Sequence, residues 1–110
     1  MTEYQFQATI KDFADTHKLP MIHIPNEGLR SRITGCRLKR IGMVPGVSDL
    51  FFLKGNSMYK GLWLELKIKP NKPSKEQRHF LELVNSLGYL GEVCYDLDET
   101  LALISAFYDI

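Results

Sequence analysis

The sequence predicts one mixed α/β domain, and three observations support that prediction. Apolar residues recur at helical spacing in four segments, and four short apolar runs typical of strands lie between them. The resulting order is α-β-α-β-β-α-β-α, which places helices on the faces of a mixed sheet. The 110 residues are 45% hydrophobic and 25% charged, the size and composition of a single globular domain spanning 1–110.

The first half of the chain alternates helices and strands. The expected elements are a helix over 3–17, a strand over 21–24, a helix over 31–41 and a strand over 49–53. The face of the first helix that should be buried is formed by Tyr4, Phe6, Ile10, Phe13 and Ala14. Leu19-Pro20 ends this helix, because the residue before a proline disfavours helical backbone. Gly35 weakens the basic second helix.

The second half is predicted with clearer boundaries. Residues 61–69 alternate as a strand does, and a short Gly/Asn loop at 55–57 would join them to 49–53 as an antiparallel hairpin. Ser74-Lys75-Glu76-Gln77 is a capping-box sequence that opens a helix, and Gly88 suits its end. The inward face of that helix is expected at Phe80, Leu81, Val84 and Leu87. A strand over 89–95 and a final helix over 100–108, capped from 96–99, complete the chain.

Basic residues are concentrated in the middle of the chain, although the formal net charge is only +1. Residues 27–78 contain twelve Lys and Arg against four Asp and Glu, so this segment carries +8. Residues 79–110 contain six acids and no Lys or Arg, and carry −6. The basic segment suggests a polyanionic partner, because phosphate contacts supply most nonspecific nucleic-acid affinity. A solvated surface with ordinary charge variation is the alternative.

Other protein classes fit the sequence poorly. The apolar run Leu50-Phe51-Phe52-Leu53 is far too short to span a bilayer, and the first residues lack the apolar core of a secretory signal. Cys36 and Cys94 form no CxxC pair, which disfavours a zinc site and a disulfide framework. We therefore expect a soluble cytoplasmic protein with two buried free thiols.

Three charged residues could form a metal-assisted phosphodiesterase site. Glu65 and Lys67 are two apart, so on a strand they project from the same face. If Asp49 begins the paired strand, its carboxylate comes close to Glu65. A hard divalent cation such as Mg²⁺ or Mn²⁺ relieves the repulsion between two such carboxylates and can activate water. Lys67 can orient that water or neutralise charge on the phosphate.

Each of these residues also has an ordinary structural explanation. Glu-x-Lys on a strand is commonly a surface charge pair, and an aspartate after Gly-Val-Ser is commonly a turn residue. Gln77 can be explained as the capping-box partner of Ser74 alone. The catalytic interpretation depends on their occurrence together, within the basic part of the chain.

An ordered set of motifs resembles the VRR-NUC family of the PD-(D/E)xK nucleases. The motifs are Gly46-Val47-Ser48-Asp49, Gly61-Leu62-Trp63-Leu64-Glu65-Leu66-Lys67, Ser74-x-x-Gln77 and Gly88-Tyr89. The resemblance covers nearly the whole chain and is greatest to the short stand-alone members of phages and prophages. It implies a restriction-endonuclease-like sheet flanked by helices, in a bacterial or phage-infected cell. The family's Pro-Asp is replaced by Ser48-Asp49, which keeps the aspartate.

The resemblance also implies roles for individual residues. Asp49 and Glu65 would be metal ligands together with the Leu66 backbone carbonyl, and Lys67 would be the catalytic lysine. Gln77 would lie near the site on the helix that follows. The family uses an acid from its first helix, for which Glu3 is the best match, although Glu3 can also simply complement the helix dipole. Glu27 is the alternative acid, or a turn residue.

Nucleic-acid contacts are expected from the basic residues, whose alternative explanation is a solvated surface. The main candidates are Arg30, Arg32, Arg37, Lys39 and Arg40, and the second group is Lys69, Lys72, Lys75 and Arg78. Trp63 has the same strand phase as Glu65, so it either stacks on a nucleotide or belongs to the core or a dimer surface. His23 is expected to be structural.

These observations lead to one main functional hypothesis and two rivals. The main hypothesis is a Mg²⁺- or Mn²⁺-dependent endonuclease acting on DNA, particularly branched or Holliday-junction-like DNA, as a C2 homodimer. The first rival is a nucleic-acid-binding module with the same fold that does not cut. The second is an interaction protein without a nucleic-acid role, which the +8 segment disfavours.

Overall fold

The computed structural model describes residues 1–25 and 32–110, and for residues 32–35 it describes the helical backbone alone. The eight elements follow the predicted order. They are α1 Glu3–Thr16, β1 Met21–His23, α2 Arg32–Arg40, β2 Leu50–Phe52, β3 Leu62–Leu66, α3 Lys75–Ser86, β4 Leu90–Cys94 and α4 Leu97–Tyr108. The expected mixed α/β fold is therefore confirmed.

The strands form one mixed sheet in the order β1-β2-β3-β4. The first three strands pair antiparallel, with Leu50 opposite Leu64 in the β2–β3 ladder. β4 pairs parallel to β3, and α3 forms the crossover between them. The predicted antiparallel pair is confirmed, but its loop is longer than expected and runs over residues 53–61. The side-chain oxygen of Asn56 organises this loop by accepting from the Met58 and Tyr59 amides.

One face of the sheet packs against α1 and α4. Leu62, Leu64 and Leu66 project to this face because alternate residues of a strand share a side. The helices contribute Phe6, Ile10, Ala14, Ile104 and Phe107 to the same buried cluster. The main apolar core therefore lies between β3 and these two helices.

The opposite face of β3 lies under α3. Trp63 stacks on Phe51 of the paired strand with ring centroids 4.1 Å apart, and meets Phe80 of α3 edge-on at 4.9 Å. Of the alternatives left open for Trp63, the structure shows intramolecular packing. Since both faces of β3 are covered, Glu65, two residues further along, is buried as well.

Helix starts agree closely with the capping signals in the sequence. Ser74 and Gln77 form the expected capping box of α3, and Asp96 caps α4 through the Glu99 amide. A second capping box, Thr2 with Gln5, begins α1. Gly88 follows the α3 cap with φ +96°, a conformation that glycine adopts without steric cost.

Two residues expected to face inward are exposed instead. Tyr4 is 81% exposed because it precedes Phe6 by two residues, about 200° around an α-helix, and so lies on the opposite side of α1. Leu87 is 52% exposed because it is the C-cap, where the inward-facing stripe of α3 has already ended. Among the described residues, no helix is long and apolar enough to cross a membrane.

The two cysteines occupy different environments and should react differently. The prediction that both thiols are buried is wrong for Cys36, which is exposed on α2. Cys94 is buried, and its pKa is raised to about 11, chiefly by burial. Because the thiolate is the reactive form, we expect an aromatic disulfide reagent at pH 8 to modify one thiol rapidly in the native protein. Cys36→Ser should remove the rapid phase and Cys94→Ser should preserve it. Two rapidly reacting thiols in the wild-type protein would contradict the buried position of Cys94.

Candidate active site

The candidate site lies where β2 and β3 separate. The ladder ends at Leu50 and Leu64, and continuing its register by one residue places Asp49 opposite Glu65. The Leu66 amide donates to Asp49 Oδ2 at 2.8 Å, where a regular ladder would supply a backbone carbonyl. The Asp49 side chain therefore ends the ladder and is held against the strand that carries Glu65.

Glu65 is the most unusual side chain of this region. It is only 1% exposed, and its two carboxylate oxygens have different surroundings. Oε2 accepts a hydrogen bond from Gln77 Nε2 at 3.3 Å and lies 3.8 Å from Lys67 Nζ. Oε1 is buried and has no hydrogen-bond partner among the described residues. A buried carboxylate oxygen without a donor is costly, which makes this a position where a cation would be stabilising.

Gln77 reaches Glu65 because the α3 capping box fixes its side chain. Gln77 Oε1 accepts from the Ser74 amide at 2.7 Å, while Nε2 of the same group donates to Glu65. The structural and functional explanations of Gln77 are therefore compatible, since the two ends of one amide satisfy both.

Gly46 brings the Asp49 segment close to the start of α3. It has φ +86°, and a Cβ at this position would lie 2.4 Å from the backbone of Glu76. Only glycine allows both this conformation and this approach. Ser48, which follows in the same segment, is fully buried, and its Oγ has no hydrogen-bond partner among the described residues.

The electrostatics of the site favour an uncharged Glu65 when no cation is bound. Burial is the largest cause that raises the pKa of Glu65 to about 9, and the neighbouring Asp49 carboxylate raises it further. A proton on Glu65 relieves the repulsion between the two carboxylates. Lys67 acts in the opposite direction, and Glu3 adds a smaller repulsion.

These residues suit a hard divalent cation. Asp49 and Glu65 supply oxygen ligands, and the unpartnered Glu65 Oε1 provides a place for positive charge. Within residues 1–25 and 32–110, no group of three or more His, Cys, Asp or Glu is positioned to hold a metal. A pair of carboxylates is the donor set of a cation that keeps several water ligands and shares the substrate's phosphate, as Mg²⁺ does.

Two residues, Glu3 and Glu27, were predicted as the further acid of the site, and the structure describes only the first of them. Glu3 lies in the first turn of α1 and is exposed, and its negative charge helps to raise the pKa of Glu65. Glu27 lies outside the described residues, as does Arg30. The choice between Glu3 and Glu27 therefore remains a prediction.

The described basic candidates are exposed. Arg37, Lys39 and Arg40 form the last turn of α2, whereas the Arg32 side chain is among those not described. Lys72, Lys75 and Arg78 are exposed around the start of α3. Lys69 is also exposed, and its Nζ lies 5.9 Å from the centre of the Tyr95 ring. Exposure leaves these side chains accessible to a phosphate backbone.

Sequence reasoning missed the role of β1 in holding the Asp49 backbone. The Asp49 carbonyl accepts from the Ile24 amide at 2.8 Å, and His23 Nδ1 lies 3.1 Å from the same oxygen. A lone histidine on a three-residue strand carried no signal for this contact, because it depends on the β1–β2 register.

The fold is similar to that of a solved structure described as "VRR_NUC domain protein". The superposition covers 99% of this chain and 89% of that chain, with a TM-score of 0.83 and 20% sequence identity. At this identity the likeness shows the fold, and it supports the VRR-NUC resemblance of the motifs.

The sequence comparisons found no match, either to a family model or to a curated protein. The structural likeness therefore carries the fold assignment, and it agrees with the predicted mixed sheet flanked by helices. The chain has the same fold as that VRR_NUC domain protein.

The buried Glu65 should lower stability as the pH rises. Its folded pKa of about 9 lies above the ordinary value of 4.5, so between these values the folded state holds a proton that the unfolded state releases. In EDTA at pH 8 we expect the free energy of unfolding of Glu65→Gln to exceed that of wild type by at least about 1 kcal/mol. This corresponds to a Tm about 4–8 °C above that of wild type. The difference should disappear below about pH 4.5, where both states are protonated.

Glu82→Gln is the matched control, because Glu82 is exposed on α3. It should change Tm little at either pH. Addition of Mn²⁺ should raise the Tm of wild type and leave that of Glu65→Gln unchanged. A Glu65→Gln protein less stable than wild type at pH 8 in EDTA would contradict the raised pKa of Glu65.

Proposed function

We propose that this chain, residues 1–110 as one domain, is a Mg²⁺- or Mn²⁺-dependent endonuclease that hydrolyses DNA phosphodiester bonds. The observation that carries the proposal is the convergence of Asp49, Glu65 and Lys67 where β2 and β3 separate. A nuclease-like fold and an exposed basic surface support it.

Asp49 and Glu65 would hold the cation, with the Leu66 carbonyl as a third ligand. The Leu66 N–H points to Asp49, and in an extended strand the C=O of the same residue points to the same side. When bound, the cation would supply an activated water and stabilise negative charge on the phosphate. Binding there would also shift Glu65 to its ionised form, because a nearby positive charge favours the carboxylate.

Lys67 is suited to stabilise the negative charge that develops on the phosphate during hydrolysis. Its ammonium is held 3.8 Å from Glu65 and its side chain is only 17% exposed, so water screens it weakly. A lysine ammonium donates three hydrogen bonds and accepts none, so it would position the attacking water or bind a non-bridging phosphate oxygen. Gln77 would act by orienting Glu65 through its Nε2.

The exposed basic residues would bind the phosphate backbone on either side of the cut. Arg37, Lys39 and Arg40 lie at the end of α2, and Lys72 and Lys75 at the start of α3. Contacts of this kind give affinity that falls steeply with salt and is independent of sequence.

The direct test is cleavage of labelled four-way junction, flap and linear duplex DNA with Mg²⁺, Mn²⁺ or EDTA. We expect metal-dependent cutting by wild type and a loss of at least about 100-fold in Lys67→Ala, because one electrostatic contact in a catalytic site commonly contributes that much. Glu65→Ala should be similarly inactive.

Lys60→Ala is the matched control, an exposed lysine on the loop before β3, and should cut normally. Cutting by wild type that Lys67→Ala and Glu65→Ala retain would contradict the assigned site. DNA that is bound and left intact with every metal would favour the non-cleaving module.

A symmetric pair of sites is the second part of the proposal. One chain carries one candidate site, whereas symmetric cutting of a four-way junction requires two. We therefore expect light scattering to give a mass near twice the 12.7 kDa of the chain. A monomer that still cuts both strands of a junction symmetrically would contradict this prediction.

A further inference from the structure

The turn that follows α2 is rigid although it lies at the surface. The Met43 amide donates to the Leu38 carbonyl at 2.9 Å and the Gly42 amide to the Lys39 carbonyl at 3.1 Å. Gly42 has φ +104°, so the helix ends in a Schellman-type cap. Met43 is partly buried, in a hollow that Ile24 and Val47 also line. The segment is therefore anchored at both its backbone and Met43.

Two apolar side chains of this turn are exposed, of which Val44 also lines the hollow around Met43. Ile41 is 80% exposed and Val44 is 51% exposed, and we call this pair the apolar tip. Because the turn is held by backbone hydrogen bonds, these two side chains stay in water and do not contribute the stabilisation that burial would give. The pair would gain hydrophobic stabilisation if it entered an apolar environment on a partner.

The charges around the apolar tip favour a polyanion as that partner. Arg37, Lys39 and Arg40 precede Ile41, and all three are exposed. In the part of the chain that the structure describes, the only ion pairs are Lys11–Asp15 and Lys67–Glu65, so these three cations have no carboxylate partner. Three uncompensated cations beside two apolar side chains match the chemistry of DNA, with phosphates outside and stacked bases inside.

The apolar tip is also close to the candidate site. Val44 precedes Asp49 by five residues, which limits their separation to about 18 Å even in a fully extended chain. The intervening Gly46 rests on the first turn of α3, beside Gln77. In a duplex cut at Asp49 and Glu65, Val44 would therefore lie within about five base pairs of the scissile bond, and Ile41, eight residues before Asp49, within about nine.

We propose that Ile41 and Val44 form a wedge that enters between bases at a discontinuity in DNA, such as a branch point or a nick. This inference rests on the proposed nuclease function and names the feature of the substrate that is recognised. Opening a base step costs a few kcal/mol in continuous duplex and less where stacking is already interrupted. The wedge therefore selects discontinuous DNA, while the neighbouring cations bind any duplex.

The experiment measures binding in EDTA, so that no strand is cut. A four-way junction carries 2-aminopurine at the branch point, and a linear duplex of the same length carries it at the centre. Wild type should bind the junction more tightly and raise the 2-aminopurine fluorescence there, because unstacking relieves quenching. Ile41→Ser should weaken junction binding about tenfold, remove the fluorescence rise and change duplex affinity less than about twofold.

Val44→Ser provides a second variant, expected to act in the same direction. Met58→Ser is the matched control, an apolar residue 77% exposed on the 53–61 loop, and should behave as wild type. An equal loss of junction and duplex affinity in Ile41→Ser, or an unchanged fluorescence rise, would overturn the wedge. A fall from dimer to monomer in light scattering of Ile41→Ser would instead make the tip a protein interface.

The two proposals fail separately in this design. If junction binding and the fluorescence rise depend on Ile41 but no metal supports cutting, the nuclease function fails and the wedge stands. If the protein cuts with Mg²⁺ or Mn²⁺ and Ile41→Ser leaves junction binding and fluorescence unchanged, the wedge fails and the nuclease function stands.

Discussion

The burial of Glu65 beside Asp49 is the constraint on which the candidate site depends. A carboxylate that is 1% exposed, with one oxygen lacking a donor, is unfavourable in its charged form. Without a cation the protein relieves this by raising the pKa of Glu65 to about 9. The remaining partners, Lys67 and Gln77, both reach Oε2. The geometry thus leaves Oε1 and the neighbouring Asp49 as the place where positive charge is most stabilising.

The fold produces this environment by covering both faces of β3. On one face Leu62, Leu64 and Leu66 pack against α1 and α4, and on the other Trp63 packs beneath α3. Glu65 follows Trp63 on the α3 side and is buried by the same helix. The end of the β2–β3 ladder then opens the sheet at this point, because Asp49 takes the Leu66 amide. The early end of this strand pair therefore places the partly exposed Asp49 beside the buried Glu65.

Much of this arrangement could be predicted from local rules. The i, i+2 spacing predicted that Glu65 and Lys67 share a face, and strand pairing predicted Asp49 opposite Glu65. The capping box predicted the start of α3, whereas the place of Gln77 near the site was implied by the VRR-NUC resemblance. Contacts that depend on tertiary register could not be predicted, such as His23 against the Asp49 carbonyl. Tyr4 was misplaced because it was grouped with Phe6, although residues two apart lie on opposite sides of a helix. The third acid stays open, since Glu27 lies outside the described residues.

Unpartnered buried atoms alone do not locate a functional site in this protein. Ser48 Oγ, Trp63 Nε1 and Glu65 Oε1 are all buried without a hydrogen-bond partner among the described residues. Trp63 lies in an aromatic cluster that explains its position, and the serine hydroxyl carries no charge. At Glu65, in contrast, the missing donor coincides with a second carboxylate, a lysine and a helix-held amide. At Ser48 and Trp63 the buried group is uncharged, and the missing partner only lowers the stability of the fold. At Glu65 a bound cation can offset the unfavourable negative charge, so the buried carboxylate is suited to bind a metal.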